Sequence, residues 1–151
     1  MRRYVAALLV LASSACGDGA ATWVSACAAD SEAAERAALS GDDRAAERHL
    51  RAIAARPAPG DVARTDVSVV RRDALERLAQ VLLRRGESEA ALVEANRAIA
   101  LGVQDDVTSV NALSTRGRVL EALGRDREAA RDYHRALEIT ERLLDRTLEG
   151  R

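Results

Sequence analysis

The stretch Gly86-Glu87-Ser88-Glu89-Ala90-Ala91 decides the fold, because the pattern that it opens occurs three times in the chain. Counted from the glycine, small or apolar residues stand at positions +5, +9, +12 and +13 and form one stripe along a helix. The same spacing begins at Gly41 and again at Gly124. Each copy therefore predicts a tight turn followed by a helix that packs closely on its neighbour.

A second helical pattern precedes each of the later glycines. Before Gly86 it is carried by Leu75, Leu78 and Leu82, and before Gly124 by residues 113–120. Repetition of a helix–turn–helix unit predicts an all-α chain in which antiparallel hairpins stack as a solenoid. We predict about three hairpins, followed by a long C-terminal capping helix. Their expected ranges are about 29–56, 66–101 and 106–140, with the last helix extending to about 149.

The second and third copies resemble the tetratricopeptide repeat (TPR) family. The matching residues are small or aromatic and occupy the family's motif positions: Ala79, Gly86, Ala91 and Ala98 in the second copy, and Gly117, Gly124, Ala129, Tyr133 and Ala136 in the third. The first copy departs from the motif at Leu50 and Ile53. The glycines are also spaced more widely than the family's period of about 34 residues.

The resemblance implies a non-catalytic protein–protein interaction module that scaffolds a multiprotein complex or assists its assembly. In TPR proteins the first helix of each hairpin lines a concave groove that binds a protein or peptide partner. The family's groove positions fall on these residues of this chain: Glu76, Gln80, Leu83, Asn111, Ser114, Arg118 and Glu121.

The chain opens with the order of a bacterial secretory signal. Residues 1–3 carry positive charge, and residues 4–12 are apolar. Cys16 follows small residues and resembles the lipid-attachment cysteine of a bacterial lipoprotein. We therefore expect residues 1–15 to be a signal peptide and Cys16 to carry a lipid anchor. Ordinary signal cleavage after Ala15, without a lipid, is the alternative.

Residues 16–28 are small and polar, and we expect a flexible tether there, ahead of a helical domain at 29–151. Together with Cys16, this predicts a protein of the bacterial cell envelope, held by lipid on the periplasmic side of the inner or outer membrane. Without the lipid, the same module would be periplasmic or secreted. The sequence leaves the oligomeric state and the state of Cys27 open.

Charge and composition argue against several other functions. The formal net charge is -1, and all 23 basic residues are arginine. A mildly acidic chain does not predict nucleic-acid binding, and the lack of lysine excludes a P-loop lysine or a Schiff-base amine. His49 and His134 lie among charged residues, where surface positions are expected. We therefore predict no enzyme activity, cofactor or metal site.

Three further expectations concern packing. Arg71-Arg72 is expected to be solvated, and Tyr133 to be the largest buried side chain of the array. At the C-terminus, Leu143, Leu144 and Leu148 are expected to cap the last hairpin, because a solenoid must cover its open end. The alternative for these leucines is a self-association stripe.

Overall fold

The computed structural model describes residues 18–149, which are all-helical, with no strand among them. Six helices follow one another in this range: α1 (Asp18–Leu39), α2 (Asp43–Ala55), α3 (Arg64–Arg84), α4 (Ser88–Ala100), α5 (Val107–Ala122) and α6 (Asp126–Glu149). The expected all-α class is confirmed. The expected signal peptide and Cys16 lie outside the described residues.

The three glycines of the repeat each end the first helix of a hairpin. Gly41, Gly86 and Gly124 have φ angles of 79°, 78° and 70°, in the left-handed region that glycine adopts most readily. The residue that follows each glycine donates its backbone N–H to the carbonyl of the residue five positions before it. For example, the Asp42 N–H donates to the Ala37 carbonyl at 2.9 Å. This is the hydrogen bond of a Schellman motif, and it turns the chain sharply back on itself.

Aspartates open two of the helices. Asp42 accepts a hydrogen bond from the Ala45 N–H at the start of α2, and Asp106 accepts one from the Ser109 N–H at the start of α5. Helix α5 begins at Val107, directly after residue 106, where the third hairpin is expected to start. Helix α3 begins at Arg64 without a side-chain cap, two residues before the start expected at Asp66.

The helices pack in the order of the sequence. Within each hairpin, α1 contacts α2, α3 contacts α4, and α5 contacts α6. Successive hairpins meet where α2 contacts α3 and α4 contacts α5, and α3 also packs directly on α5. The first helix of the second hairpin therefore lies beside the first helix of the third.

The repeated stripe forms much of the core. The +5 alanines, Ala46, Ala91 and Ala129, are all buried, so the helices approach closely at this position in each hairpin. At +13 the copies differ. Ala54 and Ile99 are partly buried against the contact between hairpins, whereas Leu137 is 61% exposed.

The expected tether is wrong for residues 18–28, because α1 begins at Asp18. Alanine favours the helix more than any other residue, and Trp23 and Cys27 stand four residues apart on one helical face. Both side chains are buried in the main core cluster. The first hairpin consequently begins about ten residues earlier than the predicted 29.

Tyr133 is not the largest buried side chain. It is partly buried, whereas Trp23 is 5% exposed and Arg72 is fully buried. Among the three C-terminal leucines, Leu143 packs against the cluster that contains Leu113 and Ile139. Leu144 and Leu148 remain exposed.

Candidate partner-binding surface

Helices α1, α3 and α5 are the first helices of the three hairpins, and we call the surface that they form the first-helix surface. It contains the positions that the TPR resemblance assigns to partner binding. Side chains of α3 and α5 hold it together through two buried polar clusters, one around Arg72 and one around Glu76.

Arg72 connects α3 to the start of α5. Its Nη1 atom donates to both carboxylate oxygens of Asp106 at 2.9–3.0 Å, to Thr108 at 2.8 Å and to Ser109 at 2.9 Å. The side chain is 0% exposed, so the expectation of a solvated Arg72 is wrong. The reason is tertiary: the capping residues of α5 lie directly over this position of α3.

Asp106 is held in its charged form by this cluster. Burial alone would raise the pKa of its carboxyl. Hydrogen bonds from the Ser109 N–H, Thr108 and Arg72 outweigh that effect and keep the pKa below its usual value. One carboxylate therefore caps α5 and pairs with a buried guanidinium of the preceding hairpin.

Glu76 lies one helical turn further along α3 and is 4% exposed. Thr115 of α5 and Gln80 of α3 both donate hydrogen bonds to its carboxylate. Burial raises the pKa of Glu76 because the charged form is poorly solvated there. Glu76 thus supports the first-helix surface from inside, although the resemblance places it among the groove residues.

The other predicted groove residues differ in their exposure. Gln80 and Leu83 on α3 are half-buried, and Leu83 packs on the main core. On α5, Ser114 is half-buried, whereas Asn111, Arg118 and Glu121 are exposed. The predicted positions that a partner could reach most freely are therefore concentrated on α5.

The Glu121 carboxylate accepts a hydrogen bond from within the third hairpin. The Tyr133 hydroxyl donates to its carboxylate at 2.6 Å. Burial and this negative partner raise the pKa of Tyr133 to about 12. Arg118 makes no ion pair with another residue of the described range, so its charge stays available on this face.

The first-helix surface also contains an open apolar pocket of about 360 Å³. Its lining comes mainly from α1 and α3 and includes Trp23, Val24, Cys27, Val69 and Val70. Ser31, Asp73 and Thr108 add polar groups. An expected tether at residues 18–28 leaves no helix there to line a pocket, so the sequence prediction does not include it. The four-residue spacing of Trp23 and Cys27 was the signal that could have revealed it.

Other titratable groups near this surface have structural partners. His49 Nδ1 lies 2.9 Å from Asp30 Oδ1, and Arg56 also donates to Asp30. These contacts, the His49 hydrogen bond foremost, lower the pKa of Asp30. Burial raises the pKa of the Cys27 thiol.

Within residues 18–149, no three potential metal ligands cluster as a metal site would require. No helix in this range is both long and apolar enough to cross a membrane.

Comparison with known proteins found no relative: no family model, curated protein or solved structure matches the chain. The resemblance to TPR proteins therefore rests on the residues and spacings of the chain itself.

Proposed function

We propose that the chain is a non-catalytic interaction module of TPR-like hairpins, stacked as a short solenoid, that binds a protein or peptide partner on the first-helix surface. The order of helix contacts and the identical glycine turns support this proposal. The observation that carries it is the apolar pocket on the same surface as the exposed polar residues of α5. Binding surfaces combine an apolar centre with polar surroundings in this way.

A partner segment would place an apolar side chain in the pocket and polar groups along α5. Val24 is 55% exposed although it lines the pocket, so an aspartate there would disturb the proposed surface without entering the core. Val93 on α4 is 57% exposed and does not line the pocket. The two valines form a matched pair of test and control.

The test is a crosslinking pull-down from the native envelope with four variants. Val24→Asp and Arg118→Glu should lose the partner. Val93→Asp should retain it, and so should Arg48→Glu, which changes an exposed arginine of α2. Circular dichroism checks that all four variants fold. If Val24→Asp and Arg118→Glu both recover the partner set of the parent protein, the binding site lies elsewhere.

We further propose that Cys16 carries a lipid that anchors the module in the bacterial cell envelope, where it scaffolds or assists assembly of a multiprotein complex. The expected signal order of residues 1–15 and the small residues before Cys16 support this. A soluble periplasmic or secreted adaptor is the alternative. Mass spectrometry of the membrane fraction separates the two, since a diacylglyceryl Cys16 supports the anchor and a free Cys16 N-terminus rejects it.

A further inference from the structure

A second pocket lies between the α2–α3 connection, residues 56–63, and the start of α3. We call it the loop pocket, and its volume is about 550 Å³. Pro59 and Val62 line it from the connection, and Arg64, Ser68 and Arg71 line it from α3. Because these three residues of α3 are separated by four and three positions, they share one side of the helix.

The lining of the loop pocket contains two arginines and no carboxylate. The acidic residues in this part of α3 are Asp66 and Asp73. At 3.6 residues per turn, both lie on the side of the helix opposite the loop pocket. Asp73 lines the apolar pocket instead. The loop pocket is therefore a separate site with a net positive charge.

Both arginines keep donors for a ligand. Neither makes an ion pair with another residue of the 18–149 range, whereas Arg56 and Arg72 nearby both pair with aspartates. Arg71 is half-buried, and its Nη2 donates to the Arg56 carbonyl at the end of α2 at 2.9 Å, which holds the guanidinium in place. Its Nε is buried without a hydrogen-bond partner. Arg64 is exposed and makes no hydrogen bond within the same range.

The wall opposite the arginines is built before any ligand arrives. The Val62 N–H donates to the Pro59 carbonyl at 3.2 Å, and the proline ring fixes its own φ. Helix α1 supports the wall from behind, because a Cβ built on Gly19 would lie 3.3 Å from Cβ of Pro59. The same Cβ would lie 3.6 Å from Oδ1 of Asp61, so this carboxylate is placed beside α1. A preformed pocket loses little entropy when it binds a ligand.

We propose that the loop pocket binds a phosphate ester, with Arg64 and Arg71 paired to the phosphate oxygens and Ser68 donating a further hydrogen bond. Guanidinium groups match phosphate with two parallel hydrogen bonds. A phosphate ester offers three free oxygens to these three side chains, whereas a carboxylate offers two. The pocket is larger than a phosphate group, and Pro59 and Val62 provide an apolar wall for the esterified part. This site lies outside the proposed partner-binding pocket and does not depend on it.

Two probes distinguish the possible sources of the phosphate. Calorimetric titration of the full chain with glycerol 3-phosphate tests a soluble ester, and glycerate is the matched carboxylate. Co-sedimentation with phosphatidylcholine vesicles, with and without phosphatidic acid, tests a lipid headgroup. Glycerol 3-phosphate binding assigns a soluble ester, and binding only to the vesicles that contain phosphatidic acid assigns a headgroup.

Three variants locate the binding site. Arg64→Gln and Arg71→Gln should each weaken binding of the phosphate probe about tenfold or more, because each removes a charged hydrogen-bond donor. Arg127→Gln removes the same charge from an exposed position on α6 and should bind as the parent protein does. Arg71→Gln also loses the contact to the Arg56 carbonyl, so circular dichroism checks its fold, and the exposed Arg64 provides the second variant. The proposal is overturned if neither probe binds, if glycerate binds as tightly as glycerol 3-phosphate, or if Arg64→Gln binds as Arg127→Gln does.

Discussion

Gly117 and Tyr133 meet where α5 packs on α6, and no β-carbon fits between them. A Cβ built on Gly117 would lie 2.5 Å from Cε1 and 2.8 Å from Cζ of the Tyr133 ring. The ring cannot swing away without breaking its hydrogen bond to Glu121. Gly117 thus allows the only aromatic side chain of the third hairpin to sit between the two helices.

Gly117→Ala should therefore lower the free energy of unfolding by about 1–3 kcal/mol, the usual cost of overpacking. Urea denaturation measures the change. Gly60→Ala is the control, since a Cβ there meets no atom within 4 Å. In the background of Tyr133→Ala the cost of Gly117→Ala should largely disappear. An equal cost in both backgrounds would place the strain somewhere other than the tyrosine ring.

Glu76 should make the folded state less stable as the pH rises. Its pKa is raised above the ordinary value of 4.5, so the folded protein holds this proton more tightly than the unfolded chain does. Stability from this group is present at low pH and is lost as the pH rises through the raised pKa. Glu76→Gln removes the titration and keeps a group that can accept from Thr115.

The measurable quantity is the difference in unfolding free energy between Glu76→Gln and the parent protein. It should shift in favour of the variant between pH 4 and pH 8. Using the difference cancels the contribution of carboxylates with lowered pKa values, such as Asp30 and Asp106. A difference that stays constant over this range would mean that Glu76 titrates normally.

At the scale of helices, Asp42 and Asp106 begin α2 and α5 in the same way but differ in what surrounds them. Both accept a hydrogen bond from an N–H of the first turn. Asp106 also pairs with the fully buried Arg72 of the preceding hairpin, whereas Asp42 is exposed. The comparison separates the cost of losing a helix cap from the cost of leaving a buried charge unpaired.

Asp42→Ala should cost about 1 kcal/mol, as expected for a lost cap. Asp106→Ala should cost about 3–5 kcal/mol, because a buried guanidinium then has no counterion. Thermal or urea unfolding of the two variants provides the comparison. Equal losses would show that Arg72 finds compensation from Thr108 and Ser109 alone.

What the sequence predicted depends on how local each signal is. A positive φ after a helix is a property of a single residue, so Gly41, Gly86 and Gly124 identified all three turns. Burial of Arg72 depends on where the start of α5 lies, and no pattern within α3 contains that information. Likewise, an alanine-rich segment with small polar residues suits a tether or a helix, and the contacts of Trp23 decide between them.

On the candidate binding surface, too, features that depend on local sequence were predicted and features that depend on tertiary contacts were not. The resemblance identified Asn111 and Arg118 on α5, whose exposure follows from the helical period alone. It also included Glu76, which is buried because Thr115 of a neighbouring helix lies against it. The apolar pocket does not follow from a helical domain that starts at residue 29, because Trp23, Val24 and Cys27 of α1 line it.

Across the whole molecule, stability should be uneven because the hydrophobic core is uneven. Leu78 belongs to the main cluster, which joins residues from Trp23 to Ala129. Ile139 belongs to a small cluster at the C-terminal end, with Leu113 and Ala136 as its other buried members. Helix α3 contacts α2, α4 and α5, whereas α6 contacts mainly α5.

Two side-chain truncations of similar size should therefore lower hydrogen-exchange protection in different parts of the molecule. Leu78→Ala and Ile139→Ala each remove a buried side chain, at a typical cost of about 2–5 kcal/mol. Leu78→Ala should reduce hydrogen-exchange protection throughout the helices, because it weakens the cluster that spans all three hairpins. Ile139→Ala should reduce protection in α5 and α6 and leave α3 nearly unchanged, since local opening needs only the contacts of the opening segment. Native-state hydrogen exchange on the two variants measures both effects. If Ile139→Ala lowers protection in α3 as much as in α6, the last hairpin unfolds only together with the rest of the chain.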